Sequence, residues 1–391
     1  NCPTLLPMPR LRTDRYLRVK LDMVGKCQLR CIMCHFAHPD FVEGQTVMDR
    51  PLLEKVARDL FPLAHDVVLS SSAEPLMAPE LPRALELCRE HEVPSFHFST
   101  NALSMTRQIM QKCIEVEMPL LTVSMDGATK ETFERVRTPA KWEKFLAKFD
   151  LIAEEKAKSS SKSPQVSVTW VLMRSNVEEL PELIRFVAAR GVDYVNLVHM
   201  AVLGGLGVED ETLVKHPALS NRMIGEAQAV ADELGVQVMA PLPFPEEMVA
   251  EDAAGDIASA AEGGGTAIGP SEQQSGKIDI ADFLNHKNRE FNLATGTRDS
   301  HSRMCYFPWY YIHVNPDGTV FPCGHWYEFS TFGDFKTQSF REIWTGAEFT
   351  ELRRQIRTLE LREVCANCTI SGMGRPDVLA SFSRREKQRD V

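Results

Sequence analysis

Cys27-Gln-Leu-Arg-Cys31-Ile-Met-Cys34 places three cysteines within eight residues, just after the apolar-alternating run Tyr16–Val24. Three thiolates at this spacing can converge on one side of a loop and hold three corners of a cubic iron–sulfur cluster. A structural zinc ion would need a fourth ligand, which His35 or His38 can supply, so the spacing leaves zinc open. A disulfide framework does not fit, because three is an odd number and the sequence carries no secretion signal.

The spacing C-x-x-x-C-x-x-C after a first strand resembles the signature of the radical S-adenosylmethionine (SAM) enzymes. The resemblance implies that Cys27, Cys31 and Cys34 bind a [4Fe–4S] cluster whose fourth iron stays open for the amino and carboxylate groups of SAM. One position departs from the family pattern. Met33 stands just before the last cysteine, where the family usually has an aromatic residue, but Met is apolar and can still cover a cofactor ring.

Composition and charge are typical of a soluble globular protein. The 391 residues are 43% apolar and 25% charged, enough for two domains or one large barrel with an appendage. The net charge of −10, from 44 basic and 54 acidic residues, argues against a nucleic-acid-binding protein. No apolar run approaches the roughly 20 residues of a membrane span, and no export leader is present. Ten cysteines indicate metal or redox chemistry in a reducing compartment, so we expect a cytoplasmic protein.

Short strand-like runs alternate with helix-like segments along the first half of the chain. The strand-like runs are Tyr16–Val24, Asp66–Ser70, Pro94–Ser99, Leu120–Ser124, Val166–Leu172 and Tyr194–Val198. The helix-like segments are Pro51–Leu60, Pro79–His91, Met105–Val116, Lys141–Lys158 and Val177–Arg190. This alternation indicates parallel strands with right-handed crossovers. Six units fall short of a closed eightfold barrel, so we predict an α/β fold with an open, partial (βα)6 barrel. A doubly wound open sheet is the alternative, and the family resemblance favours the barrel.

The pattern divides the chain into an arm, a barrel, a linker or insertion, and a C-terminal domain: residues 1–15, 16–245, 246–300 and 301–391. The barrel region ends with a further helix, Arg222–Leu234, and a short strand, Val236–Ala240. The linker contains Ala253–Gly276, which is rich in Ala, Gly, Ser and Gln. Such a segment cannot bury enough apolar surface to order itself, so we expect it to be flexible.

Four further cysteines lie in the C-terminal domain: Cys305, Cys323, Cys365 and Cys368. The run Ile312–Cys323 predicts a hairpin with its turn at Asn315–Gly318. The last two cysteines form a C-x-x-C pair after the helix-like segment Phe349–Leu361. Four cysteines suit either a zinc ion or a fully ligated [4Fe–4S] cluster, and ligand chemistry alone leaves both open.

Cys305, then Gly318-x-x-x-x-Cys323, then the C-x-x-C pair together resemble the "twitch" domain, a shortened form of the SPASM extension of many radical SAM enzymes. Full SPASM domains carry more cysteines after the C-x-x-C and bind two auxiliary clusters. This sequence has none after Cys368. The resemblance therefore implies one auxiliary [4Fe–4S] cluster with no open site, and two clusters in the whole chain. A structural zinc ion or a purely structural cluster is the alternative.

Other motifs resemble the SAM-binding positions of the same family. Ser72-Ala73-Glu74-Pro75 stands where many members have Gly-Gly-Glu-Pro, which implies that Glu74 accepts a hydrogen bond from the SAM amino group; a solvated surface charge is the alternative. Ser99-Thr100-Asn101 resembles the Thr-Asn-Gly step and assigns Asn101 to the ribose or methionine moiety. Ser124-Met125-Asp126-Gly127 resembles Ser-Ile-Asp-Gly, with Ser124 as a polar contact to SAM. Arg137 can meet the SAM carboxylate or form an ordinary ion pair.

The remaining candidates carry weaker signals. His199 ends the sixth strand, and on this topology it points to the barrel mouth, where it can touch substrate or serve as a structural histidine. Cys88 and Cys113 stand at apolar positions of predicted helices, so we expect them in the core.

The resemblance implies that the first cluster cleaves SAM to a 5′-deoxyadenosyl radical that abstracts hydrogen from a substrate, with reduction by an electron donor such as flavodoxin or ferredoxin. A closed auxiliary cluster suits an electron acceptor, and the single-cluster pattern also resembles that of an aminocyclitol dehydrogenase. Only 26 residues precede Cys27, which leaves little room for a leader-peptide domain. We therefore expect a net oxidation of a small polar or carbohydrate-like molecule. A peptide-modifying maturase, by crosslinking or epimerisation, is the enzymatic alternative, and a cluster- or zinc-binding scaffold or redox sensor is the other.

Overall fold

The computed structural model describes residues 14–368 apart from 71, 203–204, 247, 250–304 and 327–328. The predicted N-terminal arm up to residue 13, nearly all of the predicted linker and the chain after residue 368 lie outside the described residues. Among the described residues, no helix is both long enough and apolar enough to cross a lipid bilayer.

One sheet organises the chain. Its strands are β1 (Leu17–Leu21), β2 (Ala64–Leu69), β3 (Ser95–Thr100), β4 (Leu120–Ser124), β5 (Gln165–Leu172), β6 (Tyr194–His199), β7 (Gln237–Met239), β8 (Tyr311–Val314), β9 (Thr319–Phe321) and β10 (Gly333–Asp334). The order is β10-β9-β8-β1-β2-β3-β4-β5-β6-β7. All neighbours from β8 to β7 run parallel, and β9 and β10 are antiparallel additions at one edge. The predicted parallel α/β architecture and the predicted hairpin are confirmed.

Helices connect and cover the strands. They are α1 (Arg50–Leu60), α2 (Leu81–Glu90), α3 (Arg107–Glu115), α4 (Lys130–Val136), α5 (Trp142–Lys158), α6 (Leu180–Ala188), α7 (Pro217–Leu234), α8 (Phe307–Tyr310), α9 (Phe340–Trp344), α10 (Ala347–Thr358) and α11 (Glu363–Ala366). The start of α1 illustrates the local chemistry. Asp49 caps it by accepting a hydrogen bond from Leu52 N at 2.9 Å, and Pro51 occupies the first turn. Its buried face packs into the core between helices and sheet.

Side-chain alternation along β1 separates the core from the concave face of the partial barrel. Leu17, Val19 and Leu21 are fully buried in the hydrophobic core. Successive side chains of a strand point to opposite faces. Arg18 and Lys20 therefore lie on the face away from the helices, the side on which a partial barrel holds its substrate.

Three of the differences between the structure and the predicted elements have a clear physical reason or consequence. Helix α7 begins at Pro217, five residues before the predicted start at Arg222, because proline is favoured in a first helical turn. Helix α10 ends at Thr358 rather than Leu361, since Leu359 takes a left-handed conformation with φ of +60°. The hairpin β8–β9 does not form a separate sheet: β8 pairs with the free edge of β1 and extends the barrel sheet.

Candidate functional site

Backbone contacts shape the loop that carries the first three cysteines. Cys27 N donates to Glu43 Oε1 at 2.9 Å, and Arg30 Nη1 donates to the carbonyls of Cys27 and Leu29 at 2.7 and 2.8 Å. Cys34 N donates to Cys31 O at 2.9 Å, which closes a turn. Polar groups of the loop and of neighbouring segments therefore hold its backbone in place.

The three thiols lie within electrostatic reach of one another. Burial raises the pKa of Cys27 to about 11 and that of Cys31 to about 12, and a charge on Cys34 would raise both further. Burial also raises the pKa of Cys34. The nine described cysteines are all free thiols. Partly buried thiols on one loop, with no disulfide between them, fit a cluster that replaces their protons with iron.

Glu74 is buried and joins the loops after β2 and β3. Its carboxylate accepts hydrogen bonds from Thr100 Oγ1, from Asn101 N at 2.9 Å and from Leu76 N at 3.2 Å. Its own N–H donates to Lys26 O at 2.9 Å, next to the first cluster cysteine. Burial raises the pKa of Glu74 despite these donors. The structure thus brings Glu74 beside Cys27, and it is not the solvated surface charge that we considered from the sequence.

Asn101 lies against the same cysteine. Its Nδ2 is 3.8 Å from Cys27 Sγ, and its Oδ1 accepts hydrogen bonds from Gln28 Nε2 and Leu103 N, each at 3.0 Å. The motifs after the first three strands therefore meet at one end of the sheet, as the parallel arrangement predicts.

Arg137 is buried near the cysteine loop and pairs with Asp126. Its Nη2 lies 2.6 Å from Asp126 Oδ2, and Asp126 Oδ1 accepts a hydrogen bond from Val171 N at 2.7 Å. Burial raises the pKa of Asp126, and the positive charge of Arg137 opposes that shift. The same charge lowers the pKa values of Cys31 and Cys34, although burial dominates both. Within the described part of the chain, Arg137 Nε is buried without a hydrogen-bond partner.

The other two predicted residues end β4 and β6, the strands on either side of β5. Ser124 is the last residue of β4 and is half-buried. His199 ends β6, on the same side as the core residues Val195 and Leu197, and its ring centroid lies 4.9 Å from that of Phe244. Burial lowers the pKa of His199 to about 4, so its imidazole is neutral at physiological pH. The SAM contact of Ser124 and the substrate contact of His199 stay predictions.

A small apolar cluster lies beside the cysteine loop, separate from the main core. Its members come from the loop itself and from the ends of α4, β5 and β6: Ile32, Met33, Val136, Val171, Met173, Met200, Val202, Leu206 and Val208. Met33 therefore stands against an apolar surface. The predicted core positions of Cys88 and Cys113 are confirmed, since both are fully buried.

The C-terminal cysteines gather next to the barrel. Burial is the main cause that raises the pKa of Cys305 to about 11 and that of Cys365 to about 12; the charge of Cys368 contributes to both shifts, and that of Cys305 contributes to the shift of Cys365. Cys323 lies two residues after β9 and within electrostatic reach of Lys20 on β1. Among the described residues, no group of three or more His, Cys, Asp and Glu side chains converges tightly enough for a single metal ion. A cubane binds each thiolate through a different iron, so its ligands stand further apart.

The residues that sequence reasoning missed connect these two regions. Asp22 follows β1 and contacts both Ser72 Oγ and His313 Nε2 at 2.7 Å. In the sequence, Asp22 could have been recognised as a charged residue at the end of an apolar strand, directly before the cysteine loop. The signal of His313 was a polar residue between Ile312 and Val314 on a hairpin strand.

Comparison with protein-family models finds two matches in the regions just described. Residues 22–187 match the radical SAM superfamily, and residues 305–369 match the SPASM iron–sulfur cluster-binding domain. Residues 22–187 thus form a radical SAM domain, and residues 305–369 form a SPASM domain. The cofactors of the chain are accordingly SAM and iron–sulfur clusters, and the buried thiols at both ends of the described chain fit the clusters.

Several known proteins resemble this radical SAM chain over most of its length. The AdoMet-dependent heme synthase of Methanosarcina barkeri is 24% identical over 362 residues, which cover 89% of each chain. The pre-heme d1 synthase of Dinoroseobacter shibae is 24% identical over 90% of this chain and 79% of its own. The structure of Streptococcus suis SuiB bound to precursor peptide SuiA superposes with a TM-score of 0.57 at 12% identity, over 92% of this chain and 71% of SuiB. That likeness supports the fold.

Proposed function

We propose that this radical SAM enzyme oxidises a substrate bound on the concave face of its barrel and passes the substrate's remaining electron to an auxiliary cluster. The observation that carries the proposal is the pairing of β8 with β1. Strand β1 leads into the loop of the first three cysteines, and the β8–β9 hairpin leads to Cys323. The pairing of these two strands supports the proposal that both redox groups serve one substrate.

The chain's own residues supply the SAM site. Cys27, Cys31 and Cys34 would hold a cluster that, when bound, supplies the electron for cleavage of SAM to methionine and a 5′-deoxyadenosyl radical. Glu74 would accept a hydrogen bond from the amino group of SAM, and Arg137 Nε, a buried donor, would bind its carboxylate. Asn101 and Ser124 would contact the polar parts of the nucleoside, and Met33 with its apolar cluster would cover the adenine.

Cys305, Cys323, Cys365 and Cys368 would hold the auxiliary cluster. Four cysteines leave no iron open, so such a cluster suits electron transfer better than substrate binding. A low-potential protein such as flavodoxin or ferredoxin would reduce the first cluster. Free cysteines and this chemistry both suit a reducing, cytoplasmic environment.

The concave face favours a polar substrate. Lys20, His97 and Ser99 alternate with core residues on β1 and β3 and so face away from the helices. Burial lowers the pKa of Lys20, with the charge of Asp22 opposing the shift. A small polar or carbohydrate-like molecule finds hydrogen-bond partners on such a surface.

A tetrapyrrole is the second candidate substrate class. The two curated relatives that span about nine-tenths of this chain are named as a heme synthase and a pre-heme d1 synthase. Porphyrins of these routes carry carboxylate side chains, and Arg18 and Lys20 offer cations on the concave face, although Arg18 pairs with Asp66 at 2.9 Å. The same chemistry, hydrogen abstraction followed by loss of one electron, applies to both classes.

Product mass tests the proposal. The anaerobically reconstituted enzyme is incubated with SAM, a reductant and, in separate reactions, cyclic polyols, aminocyclitols or iron coproporphyrin III. We expect one class to stimulate 5′-deoxyadenosine formation and to yield an oxidised product in a one-to-one ratio. A product at the oxidation level of the substrate, which carries one solvent deuterium when the reaction runs in D2O, would indicate epimerisation and contradict the oxidation.

A double variant of the C-terminal cysteines tests whether the auxiliary cluster accepts the substrate's electron. Cys365→Ala/Cys368→Ala should still form 5′-deoxyadenosine but lose the oxidised product, because the substrate's electron has no acceptor. Cys88→Ala/Cys113→Ala removes the same number of thiols from the core and should keep the product ratio. Wild-type product ratios in the first variant would exclude the cluster as acceptor, and a thermal melt shows whether the C-terminal region remains folded.

A further inference from the structure

Asp22 is a buried carboxylate at which three parts of the chain meet. It lies at the end of β1, directly before the cysteine loop. Its Oδ2 is 2.7 Å from Ser72 Oγ in the loop after β2 and 2.7 Å from His313 Nε2 on β8, and its Oδ1 lies 3.4 Å from Ser72 N. The side chains of Asp22 and His313 are only 3% and 7% exposed. The contact between them spans 291 residues of sequence.

A buried carboxylate depends on its hydrogen-bond donors, because water cannot replace them. Asp22 takes them from two sources that belong to different functional regions. Ser72 opens the segment Ser72–Pro75, which the family resemblance assigns to SAM, and His313 belongs to the hairpin that leads to Cys323. Lys20 and His35 also lie within electrostatic reach of Asp22, as their shifted pKa values show.

The orientation of His313 is set by this contact. Its ring donates from Nε2 to the carboxylate, which leaves Nδ1 as the acceptor nitrogen. In the described part of the chain, His313 Nδ1 is buried without a hydrogen-bond partner. The ring therefore responds to changes at Asp22 more than to any other polar neighbour.

The two donors share one oxygen atom, so their contributions are coupled. A change in the hydrogen bond from Ser72 alters the strength of the hydrogen bond that Asp22 Oδ2 accepts from His313. A change in the hydrogen bond from His313 alters the bond from Ser72 in the same way. Strand pairing reinforces the link, because His313 lies opposite Lys20 in the β1–β8 ladder.

We propose that Asp22 is a positioning residue that couples SAM binding at Ser72–Pro75 to the auxiliary hairpin through His313. The inference rests on the proposed function, since it takes Ser72–Pro75 as the SAM loop. Two consequences follow. His313, which lies on the C-terminal hairpin, supports SAM affinity. Binding of SAM in turn alters the environment of the auxiliary cluster.

The first test measures SAM affinity by equilibrium dialysis of the anaerobically reconstituted holoenzyme. His313→Phe keeps a ring but removes the donor, and it should weaken SAM binding by about tenfold, the size expected for a hydrogen bond to a charged group. His313→Gln restores an N–H donor and should recover most of the affinity. His91→Phe is the matched control. It changes a histidine at the C-terminal end of α2 whose ring centroid lies 6.1 Å from that of Phe61, and the SAM affinity of this variant should stay at the wild-type value.

The second test measures the reduction potential of the auxiliary cluster with and without SAM. Wild type and His91→Phe should show a SAM-dependent shift. His313→Phe and Ser72→Ala should lose it, because each removes one of the two donors to Asp22 Oδ2. A purely structural role for His313 would leave the SAM-dependent shift in place.

The outcomes separate the inference from the proposed function. A wild-type holoenzyme that does not bind SAM contradicts the proposed function itself. Wild-type SAM affinity in His313→Phe, with iron content and melting temperature intact, overturns the coupling alone. If His313→Phe loses its clusters, the Ser72→Ala variant provides the test. A SAM-dependent shift of the auxiliary potential that persists in Ser72→Ala overturns the coupling. Loss of that shift supports the coupling.

Discussion

At the scale of single residues, Glu74 and Arg137, which we propose as SAM ligands, also hold the loops around the first cysteines together. Glu74 satisfies three donors from the loops after β2 and β3. Arg137 neutralises the fully buried Asp126. The sequence motifs predicted where these residues lie, because residues at the ends of adjacent parallel strands meet. They could not predict the internal partners, since those depend on how the loops cross.

Glu74→Gln tests the role of the carboxylate with minimal change in size. The amide NH2 would face backbone or hydroxyl donors, so we expect a loss of about 1–3 kcal/mol in the free energy of unfolding. SAM affinity should fall about tenfold or more, because a charge-assisted contact is lost. Urea unfolding and SAM dialysis measure the two effects, with the exposed Glu182→Gln as control. Reduced stability with unchanged SAM affinity would limit Glu74 to bracing the loops.

Arg137→Met should be strongly destabilising. It leaves Asp126 as an uncompensated buried charge, which costs about 3–5 kcal/mol. Asp126→Asn/Arg137→Met removes both charges and should recover part of the stability while SAM affinity stays low. Denaturant unfolding checks this, and Arg135→Met, an exposed arginine on the same helix, should change stability by no more than about 0.5 kcal/mol. An Arg137→Met protein as stable as wild type would contradict the buried ion pair.

At the scale of elements, the β8–β9 hairpin joins the C-terminal region to the barrel. Its turn followed from the sequence, since Asn315–Gly318 is a strong turn signal, and Gly318 N donates to Asn315 O at 2.9 Å. Its attachment to β1 did not follow. Strand pairing across about 290 residues leaves no local pattern, and a two-stranded hairpin can pair with any free edge. The Asp22–His313 contact was missed for the same reason.

Gly318→Ala tests whether the hairpin turn depends on the positive φ angle of glycine. Gly318 has φ of +89°, and an added Cβ would lie 3.1 Å from Asp334 Oδ1. We expect a loss of about 1–3 kcal/mol, measured by thermal or urea unfolding. Gly225→Ala is the matched control, because Gly225 lies in α7 with nothing within 4 Å of an added Cβ. That change should stabilise the protein by about 0.5–1 kcal/mol. Equal effects of the two substitutions would contradict the turn geometry.

At the scale of the whole molecule, the two sets of cysteines lie on one continuous sheet. The family signatures predicted both sets and the parallel barrel between them, because metal-ligand spacing and strand–helix alternation are local patterns. They could not predict that the β8–β9 hairpin, which leads to Cys323, pairs with β1, which leads to the first set. That arrangement is what makes electron transfer between a bound substrate and the auxiliary cluster the function we propose.

Iron content tests the number of clusters. The anaerobically reconstituted protein should contain about eight irons per chain, as two cubanes. Replacing Cys27, Cys31 and Cys34 by Ala should leave about half of that iron and abolish SAM cleavage. Zinc in the C-terminal site of anaerobically prepared protein would contradict the auxiliary cluster.

The central claim is that the cluster of the first cysteine set binds SAM and that the cluster of the C-terminal set does not. One measurement tests this claim most directly. The electron paramagnetic resonance spectrum of each reduced cluster is recorded alone, before and after addition of SAM. In Cys365→Ala/Cys368→Ala, the remaining cluster at Cys27, Cys31 and Cys34 should change its signal on addition of SAM, because an open iron binds it. In the variant that lacks those three cysteines, the remaining cluster should show no change. A SAM-dependent signal from the C-terminal cluster alone, or none from the N-terminal one, would contradict the account.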